Sequence, residues 1–314
     1  MKKITAFFIT LIFFLFIINM SSCKTENKQD NAPTVKFLNT FENELNKQKN
    51  ANVFSVSIYQ QDALQTRYFG KNNPCQNAYS IAKVYIVTAI GLLVDQNLLS
   101  IDELLVDILA DELPETYNDA WNNTTVEMLI LHNVGLEKGF LDIDAHDSTN
   151  FGEDYLKYIL TAPIREDFSF QTYSYTDASY YLLSRIIEKK CGMGTDNFLW
   201  KHLFYPLNCK EVAWSHCPKG HVIGATGLYI RSEDLVKLGL VYLNGGMYKN
   251  TRILSQNWVQ KVLDNGYELK SHDNGITFSK SGMNGQMLII VPSLNRVIAW
   301  LGYGHNNFKS LATK

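Results

Sequence analysis

Residues 80–97 read SIAKVYIVTAIGLLVDQN. Val84, Tyr85, Ile86, Val87, Ala89, Ile90, Leu92, Leu93 and Val94 leave the segment apolar on almost every face. Its length predicts a helix, and the missing polar face predicts a buried one. Upstream, residues 35–47 carry Val35, Phe37, Leu38, Phe41 and Leu45 at near-helical spacing. Two strand-like runs follow, residues 53–59 and 64–69, with Gln60-Gln61-Asp62 between them as a hairpin turn. Residues 70–77 read as a turn-rich loop. Downstream, Ser100-Ile101-Asp102-Glu103 resembles a capping box opening a helix. Residues 100–210 are mostly helical in pattern, most clearly at 126–132 and 180–190, with Gly192 and Gly194 as a stop. Further helices are predicted at 232–243, ended by Gly245-Gly246, and at 255–263, capped by Ser255. Residues 276–279, 286–291 and 296–301 are short and rich in β-branched or aromatic residues, with turns at Gly282-Met283-Asn284-Gly285 and Pro292-Ser293-Leu294-Asn295. Strands at both ends and helices between them predict an α/β domain. Its sheet is assembled from both ends of the chain, with a helical region inserted.

The composition agrees with a globular chain. The 314 residues are 46% hydrophobic and 19% charged, and 29 basic side chains face 31 acidic ones, a net charge of −2. That balance excludes a nucleic-acid partner, which requires a basic face. At the start, Lys2 and Lys3 precede an apolar run over residues 4–18 broken only by Thr5 and Thr10. The run is shorter than the ~20 residues of a spanning helix, and its flanks predict a signal peptide over residues 1–22. Met20-Ser21-Ser22-Cys23 resembles a bacterial lipobox, with Met where Leu is usual. Cys23 is therefore the expected lipidation site, residues 23–35 a tether, and the location the periplasm or cell surface, held to a membrane by the lipid. Cys75, Cys191, Cys209 and Cys217 are expected as free thiols, because a chain this long has core enough without disulfides.

No Gly-x-Ser-x-Gly, His-Glu-x-x-His, P-loop or Cys-x-x-Cys occurs, which removes the common forms of several enzyme classes. Ser80-Ile81-Ala82-Lys83 remains. Spacing of i, i+3 puts hydroxyl and ammonium on one helix face, and burial would push the lysine toward its neutral, basic form. That is an activated-nucleophile arrangement. Ser21-Ser22-Cys23-Lys24 matches the same pattern at the signal cleavage site, so the pattern alone is weak. A second element is Tyr175-Thr176-Asp177, whose tyrosine can carry protons beside a cationic lysine. Tyr117-Asn118-Asp119 and Tyr248-Lys249-Asn250 fit the same description. A third is Lys280-Ser281-Gly282, at the end of a predicted strand, where the lysine could hold a substrate carboxylate. Cys209, His216, Cys217 and His221 match no standard zinc spacing, so no metal is expected. His132 is expected to close a structural turn.

Together and in this order, the three elements resemble the serine β-lactamase and penicillin-binding protein superfamily, nearest to class C β-lactamases and related D-alanyl-D-alanine carboxypeptidases and esterases. Met128-Leu129-Ile130-Leu131-His132-Asn133-Val134-Gly135-Leu136 is similar to the family's LLxHTSGL segment. Tyr180-Tyr181-Leu182-Leu183-Ser184-Arg185-Ile186-Ile187-Glu188 is similar to the helix after its Tyr-Ser-Asn, which selects Tyr175 over the other two tyrosines. Gly227-Leu228-Tyr229 with Ser232-Glu233-Asp234-Leu235, and Gly282-Met283-Asn284-Gly285-Gln286 before Pro292, extend the resemblance over residues 36–303. It implies a β-lactamase-like α/β (α+β) fold: an antiparallel sheet flanked by helices, with an all-helical subdomain at about residues 80–210 inserted into a catalytic domain over 36–314. It implies Ser80 as acylated nucleophile, Lys83 as its base partner and Tyr175 as proton shuttle. Asp177, Lys280, Ser281, Gly282 and Met283 would meet the substrate, with the Ser80 and Met283 N–H groups as oxyanion hole. The implied function is a serine hydrolase of peptides or esters, D-alanyl cell-wall peptide among them. A β-lactamase, or a binding lipoprotein without turnover, is the alternative. No cofactor is implied; the partners are a small-molecule or peptide substrate and the membrane, and a monomer is expected. Asp177 stands where class C enzymes carry Asn, and would favour a charged Lys83, a poorer base. The class A deacylating Glu loop is not recognisable. Only residues 304–314 follow the last strand, so the family's long C-terminal helix is expected to be missing or reduced, leaving the outer face of the sheet in question.

Overall fold

The computed structural model describes residues 32–48, 50–70, 73–169, 172–304 and 308–314. The signal peptide, Cys23 and the tether up to residue 31 lie outside the described residues. Among the described residues no helix is long and apolar enough to cross a membrane.

Strands from the two ends of the chain meet at the centre of one sheet. Strands β1 (Val53–Gln60) and β2 (Ala63–Tyr68) form the expected hairpin. The others run in chain order: β3 (Gln76–Asn77), β4 (Ala213–Trp214), β5 (Leu228–Ile230), β6 (Met247–Tyr248), β7 (Thr251–Arg252), β8 (Lys270–His272), β9 (Thr277–Ser281), β10 (Met287–Val291) and β11 (Arg296–Gly302). The main sheet has the order β2-β1-β11-β10-β9-β8, and β1 pairs antiparallel with β11 in the register Val56 to Trp300 and Ile58 to Ile298. All seven residues of β11 are buried, as a central strand covered on both faces requires.

The helices are α1 (Pro33–Lys47), α2 (Ala82–Asp95), α3 (Leu105–Ile108), α4 (Val126–Ile130), α5 (Tyr155–Leu160), α6 (Asp177–Cys191), α7 (Thr195–Leu199), α8 (Ser232–Leu243) and α9 (Gln256–Asn265). Helix α2 buries twelve residues, from Ala82 to Leu93, in line with its missing polar face. Thr176 caps α6, and Gly192 ends it in the left-handed conformation, at φ 70°. Ser255 caps α9 by accepting from the Trp258 N–H.

Two expectations are corrected. Ser100 and Glu103 form a turn in which Ser100 N–H donates to the Glu103 carboxylate at 2.7 Å, but the helix does not start with it: Leu104 is extended and bridges to Thr125, and α3 begins only at Leu105. The stretch from 100 to 210 is also less helical than its pattern suggests. Between α3 and α6 it runs largely through loops and 3-10 turns, because its apolar residues serve a core that loops can also reach.

The sheet separates two cores. On one face Leu288, Ile290, Val297, Ala299 and Leu301 join α2, α6 and α8 in the larger one. On the other, Val56, Ile58, Ile289, Val291, Ile298 and Trp300 are covered by Phe37, Leu38, Phe41 and Leu45 of α1, with Phe308 and Leu311. The face in question is thus covered by the N-terminal helix. Phe41 is fully buried, with ring centroids of Phe308 at 4.5 Å and Trp300 at 5.7 Å. Phe41→Ala is expected to cost about 3–5 kcal/mol, read as a lower urea midpoint at unchanged slope.

Candidate active site

The site begins with a tight backbone turn. Ala78 N–H donates to the Leu228 carbonyl at 2.8 Å, and Tyr79 N–H to the Asn77 side chain at 2.8 Å. Tyr79 sits at φ 49°, a left-handed conformation costly for a bulky residue. A 3-10 turn over Tyr79–Ile81 then presents Ser80, and α2 starts at Ala82. Ser80 therefore stands just ahead of the α-helix, yet the i, i+3 relation survives: Lys83 Nζ donates to Ser80 Oγ at 3.2 Å.

Lys83 is fully buried. Its ammonium also donates to Asp177 Oδ1 at 2.8 Å and to the Ala225 carbonyl at 2.9 Å. Three acceptors for one nitrogen match an ammonium with three protons and leave a neutral amine no direction for its lone pair. Burial alone would lower the pKa of Lys83, as the sequence suggests. The charge of Asp177, with Tyr175 and Glu268, overturns that and raises it above its ordinary 10.5. The geometry thus favours a charged Lys83, as the resemblance implies for Asp177 in place of Asn. The Ala225 carbonyl reaches it because Gly224 lets its loop lie against α6: a Cβ there would stand 2.3 Å from the Tyr180 carbonyl.

Tyr175 OH donates to Ser80 Oγ at 2.7 Å. Its segment is laced to the loop after α4: Ser174 N–H donates to the His132 carbonyl at 3.0 Å, Gly139 N–H to the Tyr175 carbonyl at 2.8 Å, and Asp177 N–H to the Phe140 carbonyl at 3.1 Å. Lys83 and Lys280 place their ammonium groups 4.9 and 5.1 Å from the centre of the Tyr175 ring. Tyr117 instead donates to Asn122, and Tyr248 lies in the two-stranded β6–β7 hairpin.

Lys280 lies on β9, opposite Leu288 of β10. Its ammonium is paired with Glu268. Glu268 is buried and also accepts from His132 Nε2–H at 2.8 Å, while Thr176 N–H donates to His132 Nδ1 at 3.3 Å. Those two bonds set the tautomer. Burial lowers the pKa of His132 and outweighs Glu268, so the ring is neutral. Burial would raise Glu268, but Lys280, His132 and Lys83 hold it well below the usual carboxylate range. Gly282 closes the end of β9 onto the nucleophile turn: a Cβ would meet the Ala78 carbonyl at 2.7 Å.

These elements enclose a cavity of about 290 Å³ lined by Ser80, Asp142, Asp144, Tyr175, Asp177, Lys280, Ser281, Gly282 and Met283. Of the residues that the resemblance assigns to catalysis or substrate binding, all line it except Lys83, which bonds to Ser80 from behind. Three residues near Ser80 escaped the sequence reading. Asp142 and Asp144 bring carboxylate oxygens within 4.8 Å of each other and of Asp177. Partial loss of solvent, then repulsion from Asp177, raises the pKa of both. Glu268 is the third. An Asp-x-Asp pair in a polar loop is a weak signal, and a lone Glu after Gly266-Tyr267 is none. His132 closes its turn at φ 59° as expected, and it also joins the Glu268 network. Cys75, Cys191, Cys209 and Cys217 are free thiols, and His216 pairs with Asp196 at 3.2 Å.

The same fold is found in known proteins. A sequence profile of the Beta-lactamase family matches residues 73–307. The 6-aminohexanoate-dimer hydrolase of Paenarthrobacter ureafaciens is 22% identical over 211 residues, 63% of this chain and 53% of that protein. The chain thus spans about half the length of this curated relative. A Bacillus anthracis structure provisionally named a 6-aminohexanoate-dimer hydrolase superposes with a TM-score of 0.72 at 18% identity, over 87% of this chain and 79% of that one. A class C β-lactamase from Rhodobacter sphaeroides does so at 0.62 and 17%, over 88% and 97%. At such identities the structures show a common fold. With the profile spanning most of its length and a β-lactamase-like fold beneath its Ser-x-x-Lys turn, the chain belongs to the Beta-lactamase family of serine hydrolases.

Proposed function

We propose that the chain hydrolyses a peptide or ester bond through an acyl-enzyme on Ser80. The observation that carries this is Ser80 Oγ held between Tyr175 OH at 2.7 Å and the Lys83 ammonium at 3.2 Å, at the wall of a cavity. Lys83 is charged, so the Tyr175 oxygen is the atom placed to take the Ser80 proton. It acts as a relay, the proton passing through its oxygen on the way from Ser80 to the leaving group, with the Lys83 and Lys280 ammonium groups 4.9 and 5.1 Å from the centre of its ring. Ser80 Oγ then forms its bond to the substrate carbonyl carbon as Tyr175 takes the proton. Tyr175 returns that proton to the leaving amine or alcohol as the scissile bond breaks. Water repeats the sequence on the acyl-enzyme: Tyr175 takes its proton, the acid product leaves, and Ser80 recovers a proton. The relative named for 6-aminohexanoate dimer supports an amide among the substrates, and the peptidase and esterase branches support both bond types. Lys2, Lys3, the apolar run after them and Cys23 support an exported, lipid-tethered enzyme.

The test is labelling with a fluorophosphonate and with a fluorescent penicillin, Ser80→Ala serving as control. The expected result is fluorophosphonate labelling of wild type only. No labelling above the control by either probe would overturn the enzyme reading in favour of a binding protein. Penicillin labelling with slow release would place the chain with the carboxypeptidases, and rapid turnover with the β-lactamases.

A further inference from the structure

Lys280 occupies the position from which a lysine could hold a substrate carboxylate, yet it is already engaged. Its side chain is 11% exposed, and its ammonium pairs with a Glu268 side chain that is 3% exposed. Glu268 is an unusual residue for its backbone. It lies at φ 60°, at the apex of a three-residue turn in which Leu269 N–H donates to the Tyr267 carbonyl at 2.8 Å. A non-glycine residue there is strained, and such strain persists only where its surroundings hold it. Here the side chain is fixed by two partners, Lys280 and His132. The remaining charges on the cavity wall, Asp142, Asp144 and Asp177, are all acidic.

We propose that Glu268 is a specificity-determining residue. By neutralising Lys280 it withholds the cation from substrate, and the site takes amides and esters with no carboxylate beside the scissile bond. An anion entering this cavity would have to displace a buried carboxylate from Lys280 while facing three others. A neutral or amine-bearing substrate meets no such conflict. The proposal rests on acyl transfer at Ser80, and names the substrate class of that same site.

Two esters of matched size test it, one neutral and one carrying a carboxylate near the scissile carbonyl. In Glu268→Gln the anionic-to-neutral ratio of kcat/KM is expected to rise about tenfold or more, the worth of one charge-assisted hydrogen bond. The amide introduced by that substitution still offers an oxygen to His132. The gain should vanish in Glu268→Gln with Lys280→Ala, and Glu268→Asp should restore the wild-type ratio. Equal changes for both esters, or a gain that survives without Lys280, would overturn the proposal. Lys280→Ala combined with Glu268→Ala removes both partners, strands no buried charge and leaves the net charge of the site unchanged. If Lys280 is withheld, that pair shifts the ratio by less than about twofold; a tenfold fall would mean that Lys280 already binds carboxylates. A binding arm separates this proposal from the acyl-transfer reading. Calorimetry of benzylpenicillin with Ser80→Ala, with and without Glu268→Gln, should show about tenfold tighter binding in the double variant, and equal affinities would count against Glu268. If wild type hydrolyses neither ester above Ser80→Ala, the acyl-transfer reading fails and the binding arm still decides the role of Glu268.

Discussion

Lys83→Ala is expected to reduce acylation about 10³-fold or more and to destabilise the fold by about 3–5 kcal/mol. Both effects have one origin. The ammonium is the buried countercharge of Asp177, whose side chain is only 8% exposed, and it is the cation nearest Ser80 Oγ and Tyr175. Alanine removes the cation and leaves the carboxylate uncompensated. Urea unfolding reads the stability loss, and fluorophosphonate labelling rate reads the chemistry. Adding Asp177→Ala should recover part of the stability and none of the rate, the signature of a coupled pair. The pH dependence has a definite sign. The folded pKa of Lys83 lies above 10.5, so its contribution is complete below that pH and fades only as pH rises through the higher folded value. The stability gap between wild type and Lys83→Ala should therefore stay flat between about pH 6 and 9. A gap that widens steadily as pH rises across that range would mean that Lys83 loses its proton there in the folded protein and is a neutral base after all.

Ser80→Ala is expected to abolish covalent labelling and lower ester turnover about 10⁴-fold or more, with stability within about 1 kcal/mol of wild type. The asymmetry follows from the bonds. Lys83 keeps Asp177 and the Ala225 carbonyl when the hydroxyl is removed, so no buried charge is stranded. Tyr175 loses one acceptor, but it faces the cavity and water can replace it. The backbone turn holding Ser80 is made by Asn77, Ala78 and the Leu228 carbonyl, none of which the substitution touches. Labelling and turnover measure the first effect and a thermal melt the second. Substantial residual turnover would place the nucleophile elsewhere.

The legible parts of the fold were those with a local signal. The apolar run of α2, the Ser255 cap of α9, the Gly192 stop of α6 and the three C-terminal strands each announce themselves within a few residues. The two-residue strands β3, β4, β6 and β7 do not, because pairs that short have no periodicity to detect. Ser100-Ile101-Asp102-Glu103 misled for a related reason. A capping box is a pair of local hydrogen bonds, and a turn satisfies one of them without being the first turn of the helix, which here starts later, at Leu105.

The same division runs through the site. Ser80, Lys83, Tyr175, Asp177 and the Lys280 triplet could be named from sequence because motif spacing is a property of the chain. That Asp177 would favour a charged Lys83 followed from the resemblance, but the contact itself did not, since Asp177 lies 94 residues away and only folding brings it within 2.8 Å. Glu268 left no trace in the sequence, because its meaning resides in His132, 136 positions distant, and in Lys280 across a strand turn. The sequence by itself determined which groups can react. The tertiary structure decided which of them carry charge and which are free to meet a substrate, because protonation and pairing depend on the charges within a few ångströms, and those are set by packing.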